Sequence, residues 1–305
     1  MKDHTKITKA VIAVAGYGTR FLPATKTQPK EMLPIIDKPI IQYLVEEAVA
    51  SGIKDVILVT RFGQHIMEDY FDSNLELEHK LEEGGKTHYL EQIRNVATMA
   101  NFVYVRQRKD LPYGNGTPLL CVKDLIDKDE SFVYMFGDDL TLCNGYLPAT
   151  KQLIDVFQRE KAVVVEGVQE VPWDEVNRYG VVKYKDNAKY EYEMESIVEK
   201  PEKEEAPSNM AQFGRFVFSY NIIEKALSTN TGKGNELWVT DMINELAQEG
   251  KKVIAQPIQG EWLTTGDPLR FLKATFKFAI QRDDLKDELV EYLEKEICEK
   301  KKKQK

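Results

Sequence analysis

The sequence predicts an α/β fold: a mixed, mainly parallel sheet flanked by helices. Short β-branched apolar runs recur along the chain, helical stretches stand between several of them, and 305 residues are enough to bury a sizeable core. Residues 11–15 form the first run, ended by Gly16, and residues 56–60 the second; both read as buried parallel strands. Between them Ile40, Ile41, Leu44, Val45, Ala48 and Val49 recur at helical spacing. Pro39 suits a first helical turn and Gly52 can end the helix, so the unit reads as βαβ. Further strands are expected at residues 102–105, 132–136, 162–168 and 213–218. Residues 65–100 are charged, helix-prone and longer than a crossover requires, and read as a helical insertion. Residues 267–305 carry two more helical patterns and a basic tail, KKKQK, so 1–305 reads as a single domain.

Composition excludes several function classes. A net charge of -8 argues against general nucleic-acid binding, so any anionic substrate must be held by a local positive site. No apolar run is long enough to span a bilayer, and the polar start MKDHTKITKA lacks a signal-peptide pattern, so no membrane segment and a cytoplasmic location are expected. Cys121, Cys143 and Cys298 form no CxxC pair, which suits reduced thiols rather than a zinc knuckle or a disulfide framework. His4, His65, His79 and His88 fall outside every motif discussed below and read as surface residues.

Residues 15–34, AGYGTRFLPATKTQPKEMLP, follow a predicted strand and combine two close glycines with Arg20, Lys26 and Lys30. Glycine lets the backbone approach a polyphosphate and turn N–H groups toward it, while Arg and Lys offset the charge. The third glycine of a GxGxxG fingerprint would fall at Phe21, and no GxxxxGK[ST] is present, so neither a dinucleotide fold nor a P-loop is indicated. GxGTR followed by LPATK and PKEMLP resembles the signature of sugar-1-phosphate nucleotidyltransferases, and the uridylyltransferase branch fits best. The resemblance continues through DKPIIQYLVEEA, YVRQ, GDDL, YGVV, VEKP, APSN, GRFVFS, GNELWVTD and WLTTG, over nearly the whole chain. It implies the Rossmann-like nucleotidyltransferase fold and transfer of a uridylyl group from UTP to glucose 1-phosphate, with magnesium.

Asp138 and Asp139 follow the run FVYMF and so stand at a strand end, the usual ligand crevice of an open α/β sheet. One carboxylate can hold magnesium, because phosphates and water complete its octahedron. The resemblance gives that role to Asp138 and a supporting one to Asp139. It also implies Glu199 on the hexose, Lys200 on its phosphate, Gly180 against the sugar and Glu236 as another hydroxyl acceptor. Ala15, Gly16, Gly18, Thr19 and Glu31 would lie at the nucleotide, and Gln107, Gly114 and Gly116 at the base. Arg20, Lys30, Asp138 and Lys200 would carry the chemistry. Each has a plainer reading: glycines after strands are usually turns, GDD an acidic turn, and Glu-Lys a solvated surface.

Two departures stand out. Thr117-Pro118 replaces a common His-Ala, and Thr264 stands where the family usually places a second aspartate, in W-x-D-x-G, with Asp267 nearby. UTP, glucose 1-phosphate and further copies of the chain are the expected partners. The alternatives are a non-catalytic regulatory paralogue and a thymidylyltransferase. Retention of Arg20, Lys30, Asp138 and Lys200 favours an enzyme, and the insertion with PKEMLP, VEKP and WVTD favours the uridylyl branch.

Overall fold

The computed structural model describes residues 6–303; His4 and the last two residues of the basic tail lie outside them. The first half supplies the parallel centre of the sheet. Strands β1 (Lys9–Ala13) and β4 (Asp55–Thr60) are joined through a short β2–β3 hairpin (Pro34–Ile35, Lys38–Pro39) and helix α1 (Ile40–Ala50). Pro39 flanks α1 in extended conformation rather than entering it, and the apolar stripe Ile40, Ile41, Leu44, Val45 and Ala48 is buried. Helices α2 (Ile66–Tyr70), α3 (Leu75–Glu83) and α4 (Thr87–Thr98) precede β5 (Asn101–Arg106), which pairs parallel with β4. Helix α5 (Thr117–Cys121) leads to β6 (Ser131–Phe136), parallel to β1 on its other side. The strand predicted at 11–15 therefore begins two residues earlier and ends at Ala13, which frees Val14 to Gly18 to turn out of the sheet.

The second half is largely antiparallel. It comprises β7 (Asp139–Leu142), α6 (Ala149–Glu160), β8 (Val164–Glu170), β9 (Gly180–Tyr184), β10 (Met194–Glu199) and β11 (Met210–Ser219). Helices α7 (Asn221–Ser228) and α8 (Val239–Gln248) follow, then β12 (Val253–Pro257), β13 (Glu261–Thr264), α9 (Pro268–Ala279) and α10 (Lys286–Lys303). The sheet order is β10-β9-β11-β6-β1-β4-β5, with β8 also on β11 and β12 parallel to β8. Strand β11 joins the halves: Arg215 to Ser219 pair with β6, Ala211 meets β9, and β8 lies along its other edge. β7 and β13 form a separate ribbon that sets Thr264 opposite Asp139.

Both sheet faces are covered. Ala10 and Ile12 of β1 enter one core while Val11 enters the other, as strand alternation requires. The strand ends thus carry the polar groups that cannot be buried, and β6, β1, β4 and β5 bring four such ends side by side. Among the described residues no helix is long and apolar enough to cross a membrane.

Candidate active site

A cleft of about 370 Å³ opens above those strand ends. Its wall includes Ala15, Gly16, Arg20, Lys30, Glu31, Gln107, Gly114, Asp138 and Glu236, residues drawn from places more than 200 positions apart. The glycine loop is held by its own geometry. Gly18 has φ +61°, and a Cβ there would lie 3.1 Å from Thr25 and 3.2 Å from Lys30, so the left-handed conformation and the close packing both call for glycine. Thr25 locks the turn by donating from Oγ1 to the Gly18 carbonyl at 2.7 Å. Gly18 and Thr19 support the loop and do not themselves line the cleft.

Lys30 donates from Nζ to Asp138 Oδ2 at 2.5 Å, and Glu31 Oε1 lies 4.0 Å from the same nitrogen. Burial alone would pull the Lys30 pKa down, but Asp138 and Glu31 outweigh it and hold the ammonium above the ordinary lysine range. Glu31 is fully buried, and burial pushes its carboxyl up to about 8 against the pull of Lys30. Its Oε2 has no hydrogen-bond partner among the described residues.

Asp139, next to Asp138, points the other way. It accepts from Trp262 Nε1 at 2.7 Å and from the Gly214 amide at 2.9 Å, and burial with Asp138 beside it raises its pKa to about 6. A Cβ built on Gly266 would lie 3.2 Å from Asp138 Oδ2, 3.4 Å from Thr264 Oγ1 and 3.6 Å from Arg20 Nη1, so these three side chains share one small volume. Arg20 donates to the Gly266 carbonyl at 3.3 Å. Thr264 therefore sits beside Asp138, where a second carboxylate would be useful to a cation. Asp267 is committed elsewhere: it caps α9 by accepting the Arg270 amide at 3.0 Å and pairs with the Arg270 and Arg178 guanidiniums at 2.9 Å each. Burial would raise its pKa, but those partners hold it below the usual carboxylate value.

The opposite wall is the loop before α5. Gly114 has φ +141°, and a Cβ there would lie 2.3 Å from the Leu237 carbonyl oxygen, so the two backbones touch. The Leu237 amide donates to Tyr113 and the Gly116 amide to Leu237, which fixes the loop against residues 236–238. Gly116 lies behind the wall, packed under Leu237 and Met242. Thr117 turns its hydroxyl to the Pro112 carbonyl, and Pro118 enters the first turn of α5, where its missing N–H would have had no helical partner. The Thr117-Pro118 departure is thus absorbed by the helix start, and Pro118 faces the cleft.

Glu199, Lys200 and Gly180 are grouped just beyond the wall. Gly180 opens β9 and pairs with Glu199, the last residue of β10. Glu199 accepts from Thr240 at 3.1 Å and pairs with Lys200 at 3.0 Å. Lys200 Nζ lies 4.5 Å from the centre of the Trp238 ring, and Trp238 lines the cleft, so Lys200 borders the same space. Sequence reasoning missed Tyr113, Asn115, Phe136, Gly137 and Trp238 in the wall. Gly137 and Trp238 stand inside motifs already singled out, GDDL and GNELWVTD, and are recoverable from them; Tyr113 and Asn115 reach the wall through their pairing with Leu237 and Val239.

A family model described as nucleotidyl transferase matches residues 9–280. The UTP–glucose-1-phosphate uridylyltransferase of Bacillus subtilis (strain 168) is 42% identical over 289 residues, covering 95% of this chain and 97% of that protein. Among solved structures, a UDP-glucose pyrophosphorylase complexed with UDP-glucose is 36% identical with a TM-score of 0.80, covering 91% of this chain and all of that one. A UTP-bound UGPase from Acinetobacter baumannii is 34% identical with a TM-score of 0.84, covering 94% and 99%.

Proposed function

The chain belongs to the nucleotidyl transferase family, and on that premise we propose that it transfers the uridylyl group of UTP to glucose 1-phosphate, giving UDP-glucose and pyrophosphate. The observation that carries this reading is the single cleft that joins a glycine loop, the Lys30–Asp138 pair and the 107–118 wall, with Glu199 and Lys200 at its border. UTP lies across the glycine loop with its base toward Gln107 and Gly114, and the sugar phosphate lies by Glu199 and Lys200. An oxygen of the acceptor phosphate attacks the α-phosphorus as the bond to the pyrophosphate oxygen breaks. A phosphate monoester has a second pKa of about 6, so the nucleophile is already largely ionised and no general base is required. What remains is charge and alignment: Arg20 and Lys30 offset the triphosphate, and Lys200 draws the acceptor toward it.

Magnesium fits this donor set under a clear condition. Among the described residues there is no cluster of three or more metal-ligating side chains. Asp138 supplies one carboxylate and Thr264 a neutral hydroxyl, while Asp139 and Asp267 are tied to other partners. Magnesium usually takes only one or two protein carboxylates beside phosphates, so Asp138 would hold it, and when bound it would neutralise phosphate charge. The test is pyrophosphate release with UTP or dTTP crossed against glucose, galactose and N-acetylglucosamine 1-phosphates, with and without magnesium. The expected result is a magnesium-dependent rate greatest for UTP with glucose 1-phosphate. Equal kcat/KM for UTP and dTTP would remove the uridylyl assignment and leave the transferase.

A further inference from the structure

We propose that Arg178 and Asp267 form a strut that positions the acceptor side of the cleft, Lys200 above all, against the Asp138 side. The proposal rests on the reading that Lys200 receives the acceptor's phosphate. Residues Trp173–Arg178 form a short helical turn that runs into Tyr179 and Gly180. Lys200 adopts a positive φ of 49° and donates its amide to the Tyr179 carbonyl at 3.0 Å, so the backbone that aims Lys200 hangs on Tyr179. The Tyr179 ring packs edge-on against Trp262 at 4.9 Å, and Trp262 in turn donates to Asp139, the neighbour of Asp138. Arg178 donates from Nη2 to Asp267 Oδ2 at 2.9 Å, one residue after Gly266, where a Cβ would meet Asp138 Oδ2 at 3.2 Å and whose carbonyl accepts from Arg20.

The same corner is closed once more. Arg270 pairs with Asp267 and, through its other nitrogen, with Glu175 of the turn that carries Arg178. Two segments some 90 positions apart are thereby joined by two ion pairs, Arg178–Asp267 and Arg270–Glu175, while Arg270–Asp267 braces the second segment itself: one segment leads to Lys200, the other to Asp138 and Arg20. Arg178 is 41% exposed, so its pair with Asp267 contributes little to global stability, which does not account for that contact. Alignment does, because an in-line transfer between two bound anions depends on the separation of the groups that hold them.

The experiment compares wild type with Arg178→Ala and Arg178→Lys in steady-state kinetics for each substrate, and follows amide hydrogen exchange at Lys200 in the free protein. In Arg178→Ala the KM for glucose 1-phosphate should rise about tenfold with a severalfold loss of kcat, while the KM for UTP stays within about twofold. Exchange at Lys200 should quicken, and Arg178→Lys should recover part of both effects. Should Arg178→Ala fail to fold, Glu175→Gln slackens the same corner through Arg270 and is expected to shift the same two readouts in the same direction. An unchanged sugar-phosphate KM, or unchanged exchange at Lys200, in a folded variant overturns the strut. Exchange is read without substrates, so failure of the strut appears there, whereas failure of the transferase reading appears as a wild type without turnover.

Discussion

Lys200 and Thr264 separate positioning from binding most cleanly at the scale of single residues. Lys200 is 39% exposed, with its ammonium over Trp238 and beside Glu199, so Lys200→Ala should leave the melting temperature within about 2 °C. Its loss should lower kcat by about a hundredfold if it steadies charge at the transferring phosphate, and an unchanged kcat at saturating sugar phosphate would remove it from that role. Thr264 is the reciprocal case, since Thr264→Asp adds a carboxylate beside Asp138 and should lower the magnesium concentration for half-maximal rate about tenfold. A wild type inactive at every magnesium concentration, with Thr264→Asp active, would identify a disarmed transferase instead. Glu166 gives a prediction about stability. It is fully buried, accepts from the Gln212 amide through Oε2, and its Oε1 has no partner among the described residues; burial pushes its pKa from 4.5 up to about 8. A folded-state pKa raised in this way means stability is lost as pH rises from about 4.5 through about 8, because the unfolded chain ionises first. Glu166→Gln should therefore be roughly neutral at pH 5 and stabilising by about 1–3 kcal/mol at pH 9 in urea titrations.

Strand β11 shows which elements can be read from a sequence and which cannot. Its apolar stretch at 213–218 is visible as a strand, and so are β4, β5 and β6, because each carries a continuous run rich in β-branched or aromatic residues. The observed β11 is longer, and its register shifts between Gln212 and Phe216, where four steps on β11 match two on β8. That irregularity turns the Gly214 amide to Asp139 and sends Arg215 to Glu47 of α1, at 2.7 Å and fully buried. No local pattern announces it, since it is set by partners more than 70 positions away. The short strands β7, β9, β10, β12 and β13 are equally illegible: each is brief, carries a charged residue, glycine or proline, and is defined by its neighbour rather than by its own sequence. The glycine loop and the acidic turn, by contrast, stand directly after strong strands, so their position above the sheet could be anticipated. Glu47 also accepts from Thr141 and Thr150, and Arg215 with these hydroxyls holds its pKa below the usual value against the effect of burial. Arg215→Met leaves that carboxylate buried without its cation and should cost about 3–5 kcal/mol in chemical denaturation, while the double variant with Glu47→Leu should recover part of the loss.

The whole molecule divides its labour between the two halves of its sheet. The parallel half presents the glycine-loop side of the cleft and the antiparallel half the Glu199–Lys200 side, with β11 between them and the 236–238 segment reaching back across. A chain of net charge -8 nonetheless sets Arg20 and Lys30 in one cleft with Lys200 at its border, a local positive site in a molecule whose overall charge disfavours polyanions. The Lys30–Asp138 pair has one further consequence. Because a lysine ammonium already compensates the carboxylate that would otherwise repel its surroundings, the polypeptide does not depend on an added ion to complete its architecture. Exhaustive chelation should therefore stop turnover yet shift the thermal midpoint of the substrate-free protein by less than about 1 °C, so that starvation for divalent ions would leave an intact and instantly recoverable catalyst rather than an unfolded chain.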